Sequence, residues 1–391
     1  MDLPTTDNSD GNALSTEEKK PRARRGFLKS VGKIFKVLLL CLLFLALAGI
    51  TYETIASRAD KKRFPPPGQL VDVGGYRLHI QCAGEGSPTV VLDTGLGSTA
   101  LYWGKVLPEV AKYTRVCTFD RAGYGWSETG PEPRSSERIT MELHALLKNA
   151  GVPGPYILVG WSFGGFTARL YPHLYPGEVA GIVLVDSTHE EQFVRYVPTV
   201  VNGIKKTGLN LEWLVKFLGG PERFHTFFEQ AAVRWDMIRS RLGILRWSRR
   251  NERDSEFWVK YPPGTWELER FCELQHGFLT AVRGEKAAWE ESTAQAHKVA
   301  ELGDLPLVVV SRAPDMKGPY PEWFPAVELE REWQAMQTEL VRLSPQGRQV
   351  FARGSDHLIP HHRPQVVIDS ILELVQGYRH GIDAAVGKTA E

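Results

Sequence analysis

Short apolar stretches alternate with longer amphipathic ones along most of the chain after residue 68. The apolar stretches predict strands at 69–73, 77–82, 89–92, 115–119, 156–159, 181–185, 305–310 and 349–351. Helical patterns separate the later strands, which favours a mostly parallel sheet covered by helices on both faces. The fold class is therefore predicted as α/β, with functional residues at the carboxyl ends of the strands.

The alternation stops between residues 190 and 303. This stretch shows helical patterning without a convincing strand, and strands resume after it, which indicates an insertion into the sheet. We expect a helical lid over the site. An auxiliary helical domain is the alternative, in which the tryptophans are core residues. Six of the 11 Trp residues lie here: Trp213, Trp235, Trp247, Trp258, Trp266 and Trp289.

The strongest regional signal is an uncharged apolar run at 37–52, which becomes 34–52 when the two apolar residues before Lys36 are included. It predicts a single transmembrane helix or signal anchor. Six Lys or Arg lie between residues 22 and 36, against four between 53 and 67, which favours a cytoplasmic N-terminus and a domain on the outer side. A signal-peptidase site near Ala48, leading to secretion, and a twin-arginine signal at 24–29 are alternatives.

These signals divide the chain into four parts. A basic polar tail at 1–33 precedes the apolar helix at 34–52, and a Pro-rich linker at 53–67 follows it. The folded domain is expected at 68–391, with the lid at 190–303.

Composition narrows the functional classes. The chain has 391 residues, 42% hydrophobic and 24% charged, which is typical of a folded protein. Lys and Arg total 47 against 46 for Asp and Glu, so the net charge of +1 argues against nucleic-acid binding. The four Cys show no paired spacing, so neither a zinc site nor a disulfide framework is predicted.

Candidate chemistry begins at Ser162. The strand at 156–159 runs into Gly-Trp-Ser-Phe-Gly and then into a helical pattern, which is G-x-S-x-G between a strand and a helix. The glycines relieve the crowding of a strained turn that lifts a nucleophile above the sheet. We therefore predict Ser162 as the nucleophile, and a Gly-rich turn with an incidental Ser is the alternative.

A serine nucleophile requires a base and an acid. His357 follows the final strand and is the predicted base. Asp315, just after the strand at 305–310, is the preferred acid that would orient the imidazole. Asp186, at the end of the preceding strand, is the alternative acid.

The loop after the third strand, Asp93-Thr94-Gly95-Leu96-Gly97, supports two hypotheses. In the first, the backbone N–H groups of Leu96 and Phe163 form an oxyanion hole. In the second, residues 95–100 form a dinucleotide-binding fingerprint, and Asp120 is its acidic residue. This pattern would indicate an NAD-dependent oxidoreductase. The second hypothesis leaves Ser162 and His357 without a role.

Together these motifs resemble the α/β-hydrolase superfamily, over residues 68 to about 377. Residues 160–165 are similar to its nucleophile elbow, 120–127 to the loop after its fourth strand, 306–315 to its acid-bearing strand and 354–357 to its histidine loop. The chain has Thr94-Gly95 where many members carry His-Gly. Ser162 also differs from the Asp nucleophile of the epoxide hydrolases and haloalkane dehalogenases.

The resemblance implies a serine hydrolase of carboxylesterase or lipase type, acting through an acyl-enzyme on an ester-like or amide-like bond. No metal or organic cofactor is implied. The expected partners are a small apolar acyl substrate and the membrane. A ligand-binding receptor with little turnover is an alternative on the same fold.

Overall fold

The computed structural model describes residues 22–249, 265–313 and 321–389, and an eight-stranded sheet forms its centre. The strands are β1 (Gln69–Asp72), β2 (Arg77–Ala83), β3 (Thr89–Asp93), β4 (Val116–Phe119), β5 (Tyr156–Trp161), β6 (Val179–Val185), β7 (Leu307–Ala313) and β8 (Gly347–Arg353). Their order across the sheet is β1-β2-β4-β3-β5-β6-β7-β8. Pairing is antiparallel for β1–β2 and β2–β4 and parallel elsewhere.

The predicted mostly parallel α/β sheet is confirmed, and each predicted strand lies within a few residues of an observed one. The helices that accompany the sheet are α1 (Arg22–Arg63), α2 (Leu107–Val110), α3 (Ser136–Asn149), α4 (Gly164–Leu174), α12 (Ala326–Val341), α13 (Ile359–His362) and α14 (Pro364–Thr389). A short 3₁₀ helix lies at Ala100–Trp103.

Alternate side chains of the buried strands enter two separate cores. Val91 of β3 and Leu158 of β5 belong to one core, which also contains residues of α3 and α4. Val90 and Val159 point to the other, which α14 covers. Both faces of the sheet are thus buried. Functional side chains can therefore be accessible only at the ends of the strands and in the loops that follow them.

The insertion between β6 and β7 consists of helices throughout its described part. They are α5 (Gln192–Lys205), α6 (Glu212–Phe217), α7 (Pro221–Arg241), α8 (Ile244–Ser248), α9 (Thr265–Leu274), α10 (His276–Ala287) and α11 (Trp289–His297).

The tryptophans of the insertion divide between core and surface. Trp289 is 7% exposed, whereas Trp213, Trp235 and Trp247 are more than 60% exposed. Trp258 lies outside the described residues. The interpretation of these tryptophans as core residues is therefore wrong for three of them.

The apolar run lies in α1, which is longer than the sequence pattern predicts. Of the described helices, this one is long and apolar enough to cross a membrane, over Lys29–Arg63 with a mean hydropathy of 2.6 in its most apolar window. It continues to Arg63, so most of the predicted linker at 53–67 is helical. Residues 53–63 contain neither Gly nor Pro, and Pro65 then stops the helix.

The C-terminal part of α1 packs against the insertion. Arg246 of α8 donates to the carboxylate of Glu53 at 2.9 Å and is also paired with Asp60. The side chain of Arg246 is only 8% exposed. Gly49 is required at this contact, because a side chain there would clash with the backbone of Leu242. These contacts fix α1 against the insertion.

Cys82 and Cys117 form a disulfide, which the sequence analysis did not predict. The two residues are 35 positions apart, and they become directly opposite partners only because β2 pairs with β4. This adjacency depends on the strand order, so no local Cys spacing could have indicated the bond.

Candidate active site

Ser162 occupies the turn between β5 and α4 in a left-handed backbone conformation, with φ of 53°. Such a conformation is strained for a residue with a side chain. Three glycines make the turn possible. A Cβ on Gly160 would lie 2.5 Å from the carbonyl oxygen of Gly164, and one on Gly164 would lie 2.8 Å from that of Asp93. A Cβ on Gly165 would clash with Ser187. The hydroxyl of Ser162 therefore stands at the carboxyl end of β5.

His357 lies between the end of β8 and α13, and its ring reaches Ser162. The Nε2 atom of His357 is 3.0 Å from the Oγ atom of Ser162. The indole N–H of Trp161 donates to the backbone carbonyl of His357 at 2.9 Å, which holds the histidine loop against β5. The ring is about one-third exposed, so a substrate can approach it.

The carboxylate beside His357 belongs to Asp186, the alternative acid of the sequence analysis. The Oδ2 atom of Asp186 is 2.6 Å from the Nδ1 atom of His357. Asp315, the preferred acid in the sequence analysis, lies outside the described residues. Asp186 follows β6 and Asp315 would follow β7, and these neighbouring parallel strands end at the same edge of the sheet. Of these two candidates, the described part of the chain contains Asp186, and its carboxylate contacts His357.

Asp186 is fully buried and has partners besides the histidine. Its Oδ1 atom accepts hydrogen bonds from the indole N–H of Trp333 at 2.7 Å and from the backbone N–H of Arg312 at 3.1 Å. The guanidinium of Arg312 lies 3.4 Å from Oδ2. These donors fix the direction of the carboxylate toward His357.

Leu96 and Phe163, the predicted oxyanion donors, both line a cavity of about 300 Å³ at Ser162. Phe163 follows the nucleophile and is 1% exposed. Gly95 permits the close approach of the loop after β3, because a Cβ there would lie 3.0 Å from the Cβ of Ser162. The loop backbone thus lies directly against the elbow, as an oxyanion hole requires.

Arg121, which the sequence analysis gave no role, holds this loop in place. Its guanidinium donates to the carbonyl oxygens of Thr94 at 2.6 Å and Gly95 at 2.9 Å, and to the carboxylate of Asp93 at 2.9 Å. Glu285 of α10 accepts from the same guanidinium at 2.8 Å and 3.1 Å.

This network is almost completely buried. Burial alone would lower the pKa of Arg121, but Glu285 and Asp93 raise it well above its ordinary value, so the guanidinium stays charged. Burial also raises the pKa of Tyr124, whose hydroxyl donates to Glu285 at 2.7 Å. A fixed cation therefore joins the loop after β3 to the insertion.

Asp120, the acidic residue of the NAD hypothesis, faces inward. It is 1% exposed, lies 2.8 Å from the Nδ1 atom of His79 and accepts from the backbone N–H of Ala100 at 2.8 Å. These bonds hold the buried carboxylate inside the fold, away from any ribose hydroxyl. The arrangement contradicts the NAD-dependent alternative.

One group in the described part of the chain has donor atoms close enough to hold a metal ion: His189, Glu191 and Glu339. Arg195 already pairs with both carboxylates, at 2.5 Å from Glu191 and 2.8 Å from Glu339. A guanidinium thus already bonds both carboxylates, and we assign no metal there.

The chain is similar to known hydrolases over most of its length. The alpha/beta hydrolase family model matches residues 90–370. An AB hydrolase superfamily protein of Gibberella zeae is 23% identical over 310 residues, covering 74% of this chain and 86% of that protein. An uncharacterized protein of Bacillus subtilis, YbdG, is 27% identical over 218 residues, covering 54% of this chain and 65% of that protein. A probable transporter of Hormonema carpetanum is covered for only 43% of its length.

Among solved structures, the Cif epoxide hydrolase of Acinetobacter nosocomialis matches with a TM-score of 0.57 and 16% identity, covering 83% of this chain and 96% of that one. A thermophilic esterase of Thermogutta terrifontis matches with a TM-score of 0.55 and 19% identity, covering 79% and 98%. At this level of identity the likeness concerns the fold.

Proposed function

The chain belongs to the alpha/beta hydrolase family, and from that premise we propose that it is a serine hydrolase cleaving an ester-like bond through an acyl-enzyme. One observation carries the proposal. Ser162 Oγ, His357 Nε2, His357 Nδ1 and Asp186 Oδ2 form a continuous chain with separations of 3.0 Å and 2.6 Å. This is the order of contacts that proton transfer from a serine hydroxyl requires.

In the proposed first half-reaction, Ser162 Oγ attacks the substrate carbonyl while His357 Nε2 takes the hydroxyl proton. Asp186 accepts the hydrogen bond from Nδ1–H, holds the ring in the productive tautomer and stabilises the imidazolium. The backbone N–H groups of Leu96 and Phe163 stabilise the oxyanion. His357 then gives the proton to the leaving alcohol as its bond to the acyl carbon breaks.

In the second half-reaction, water takes the place of the alcohol. His357 removes a proton from this water as the oxygen attacks the acyl carbon, and it returns the proton to Ser162 Oγ as the acyl group leaves. The products are a carboxylic acid, an alcohol and the unchanged enzyme. An amide substrate would follow the same steps, and we favour esters by analogy with other members of the family.

A fluorophosphonate probe tests this proposal directly, because it reacts with an activated serine. We expect covalent labelling of the full chain and none of Ser162→Ala. Ser127→Ala is the matched control, since the Ser127 hydroxyl donates to a backbone carbonyl away from Ser162 and should leave labelling intact. Absence of labelling in the wild type would contradict the proposal and favour a binding receptor on the same fold.

We also propose that α1 anchors the protein in a membrane, with the N-terminus in the cytoplasm and the hydrolase domain outside. The basic flank before the apolar run supports this orientation. The Cys82–Cys117 disulfide supports it independently, because such bonds persist in oxidising compartments outside the cytosol.

Membrane fractionation and protease protection test the anchor. The full chain should stay in the membrane after an alkaline carbonate wash, and protease added outside should digest the domain but spare a tag at residue 1. Release of a shortened domain would indicate cleavage near Ala48, and protection of the domain would contradict the orientation.

A further inference from the structure

A second cavity lies beside the one that contains Ser162. It has a volume of about 440 Å³ and lies between α5 and α7 of the insertion. Its walls include four aliphatic residues of α5 and two aromatic residues of α7, namely Val197, Val200, Val201, Ile204, Phe224 and Phe228. We call it the α5–α7 groove.

The groove adjoins the catalytic cavity. Phe193, His225 and Glu229 line both of them. The rings of Phe193 and His225 stack with centroids 3.5 Å apart, and they form the boundary between the two spaces. Burial lowers the pKa of His225, which favours the neutral imidazole at this boundary.

Apart from Tyr196, the polar side chains of the groove lie at its catalytic end. His225 and Glu229 belong to the shared boundary, and Glu229 is paired with Lys286 of α10. The α5 residues that line the groove extend from Phe193 to Ile204, a helical length of about 16 Å. An elongated apolar space of this kind matches a hydrocarbon chain better than a compact polar group.

The position of His357 indicates which half of an ester lies here. His357 must protonate the leaving alcohol, so the alcohol has to lie beside its ring. The catalytic cavity that adjoins the groove is lined by Ser162 and by Leu96 and Phe163, the proposed oxyanion donors. We therefore assign the groove to the acyl half of the ester, which stays on Ser162 after the alcohol leaves.

We propose that the α5–α7 groove binds the unbranched acyl chain of the substrate, which makes the substrate a long-chain acyl ester. This inference rests on the proposed serine hydrolase function. Each methylene placed in the groove should raise kcat/KM about threefold until the groove is full.

The test compares p-nitrophenyl acetate, butyrate, octanoate and laurate with one common leaving group. The full chain is held in nanodiscs of ether-linked phospholipid, which contain no competing ester and no free detergent chain. Wild type should prefer octanoate, which has four more methylenes, to butyrate by about 80-fold. Val200→Trp fills the groove and should remove this preference.

Val194→Trp is the matched control. Val194 lies on the same helix but is 48% exposed and does not line the groove. The same substitution there should leave the chain-length profile of the wild type. Acetate hydrolysis without a chain-length preference, or an unchanged preference in Val200→Trp, would overturn the groove proposal and leave the serine hydrolase proposal intact. A preference that follows the alcohol chain at constant acyl length would also overturn it.

A binding measurement separates the two proposals if no ester is cleaved. Ser162→Ala should bind cis-parinaric acid, a fluorescent unbranched fatty acid, and Ser162→Ala combined with Val200→Trp should bind it at least tenfold more weakly. Absence of saturable binding to Ser162→Ala would overturn the groove, whatever the catalytic result.

Discussion

Arg121 and Glu285 join two parts of the chain that are 164 positions apart, through hydrogen bonds of 2.8 Å and 3.1 Å between buried side chains. Arg121 follows β4 and also holds the carbonyl oxygens of the loop after β3. Glu285 belongs to α10 of the insertion. The pair therefore makes the geometry of the proposed oxyanion hole depend on how the insertion is docked.

Glu285→Ala should lower both stability and turnover. Arg121 would lose one of its two buried carboxylate partners, which should reduce the free energy of unfolding by about 3 kcal/mol. The loop after β3 would loosen, so kcat should fall more than KM rises. Denaturant titration and ester kinetics measure the two effects.

Glu132→Ala is the control for that substitution. Glu132 pairs with Arg283 of the same helix α10, but both side chains are partly exposed, at 58% and 35%. Its loss should change the free energy of unfolding by less than about 0.5 kcal/mol. A comparable effect of the two substitutions would contradict a specific role for the Arg121–Glu285 pair.

Asp186→Asn should reduce kcat by about 10⁴-fold, because an amide at this position favours the wrong tautomer of His357. Asp315→Asn should retain turnover close to that of the wild type. Steady-state kinetics on one ester decides between the two residues. A large loss in Asp315→Asn with little loss in Asp186→Asn would restore the acid preferred from the sequence.

The acid shows what a single sequence could not determine. Asp186 and Asp315 each follow an apolar strand, and the two strands are neighbours that end at one edge of the sheet. Which of them orients His357 depends on the hydrogen-bond donors that hold each carboxylate in place. Asp186 has such a contact with Trp333, whose indole nitrogen lies 2.7 Å from its carboxylate although the two residues are 147 positions apart. No local pattern contains this contact.

The strands and the turn at Ser162 were predictable because their signals are local. Apolar stretches of three to six residues mark the predicted strands, and glycines on both sides of a serine mark the turn. The disulfide and the length of α1 were not predictable in this way. Cys82 and Cys117 meet only through the strand order, and the charged segment after Tyr52 looks like a linker until Arg246 of the insertion pairs with it.

Glu269 of α9 should make stability depend on pH. Burial raises its pKa to about 8, and the charge of Glu273 contributes, while a hydrogen bond from Thr99 opposes the shift. The folded chain keeps this proton, whereas the unfolded chain releases it near pH 4.5. The free energy of unfolding should therefore fall as pH rises from about 4.5 to about 8.

Glu269→Gln tests this dependence because the amide cannot ionise. Denaturant titrations between pH 5 and pH 9 should show a smaller loss of stability for Glu269→Gln than for the wild type. Equal slopes for the two proteins would mean that Glu269 is already ionised in the folded state.

Arg246→Ala should detach the end of α1 from the insertion. Glu53 and Asp60 would lose their common cation, and trypsin should then cleave several times faster after the basic residues 61–63. Arg239→Ala is the control, since Arg239 pairs with Asp236 of its own helix. Equal cleavage rates in the two variants would contradict the proposal that Arg246 holds the end of α1 against the insertion.

The contact between α1 and α8 has a consequence for a protein anchored by α1. A helix in a bilayer tilts until its apolar length matches the local thickness of the hydrocarbon layer. A flexible linker after the membrane helix would leave the domain independent of that tilt. A helix bonded to the insertion instead transmits the tilt to the helices around the catalytic cavity. The opening of the catalytic cavity would then lie at different angles to the membrane plane in thick and thin membranes. The thickness of the surrounding lipid would in this way regulate access to Ser162.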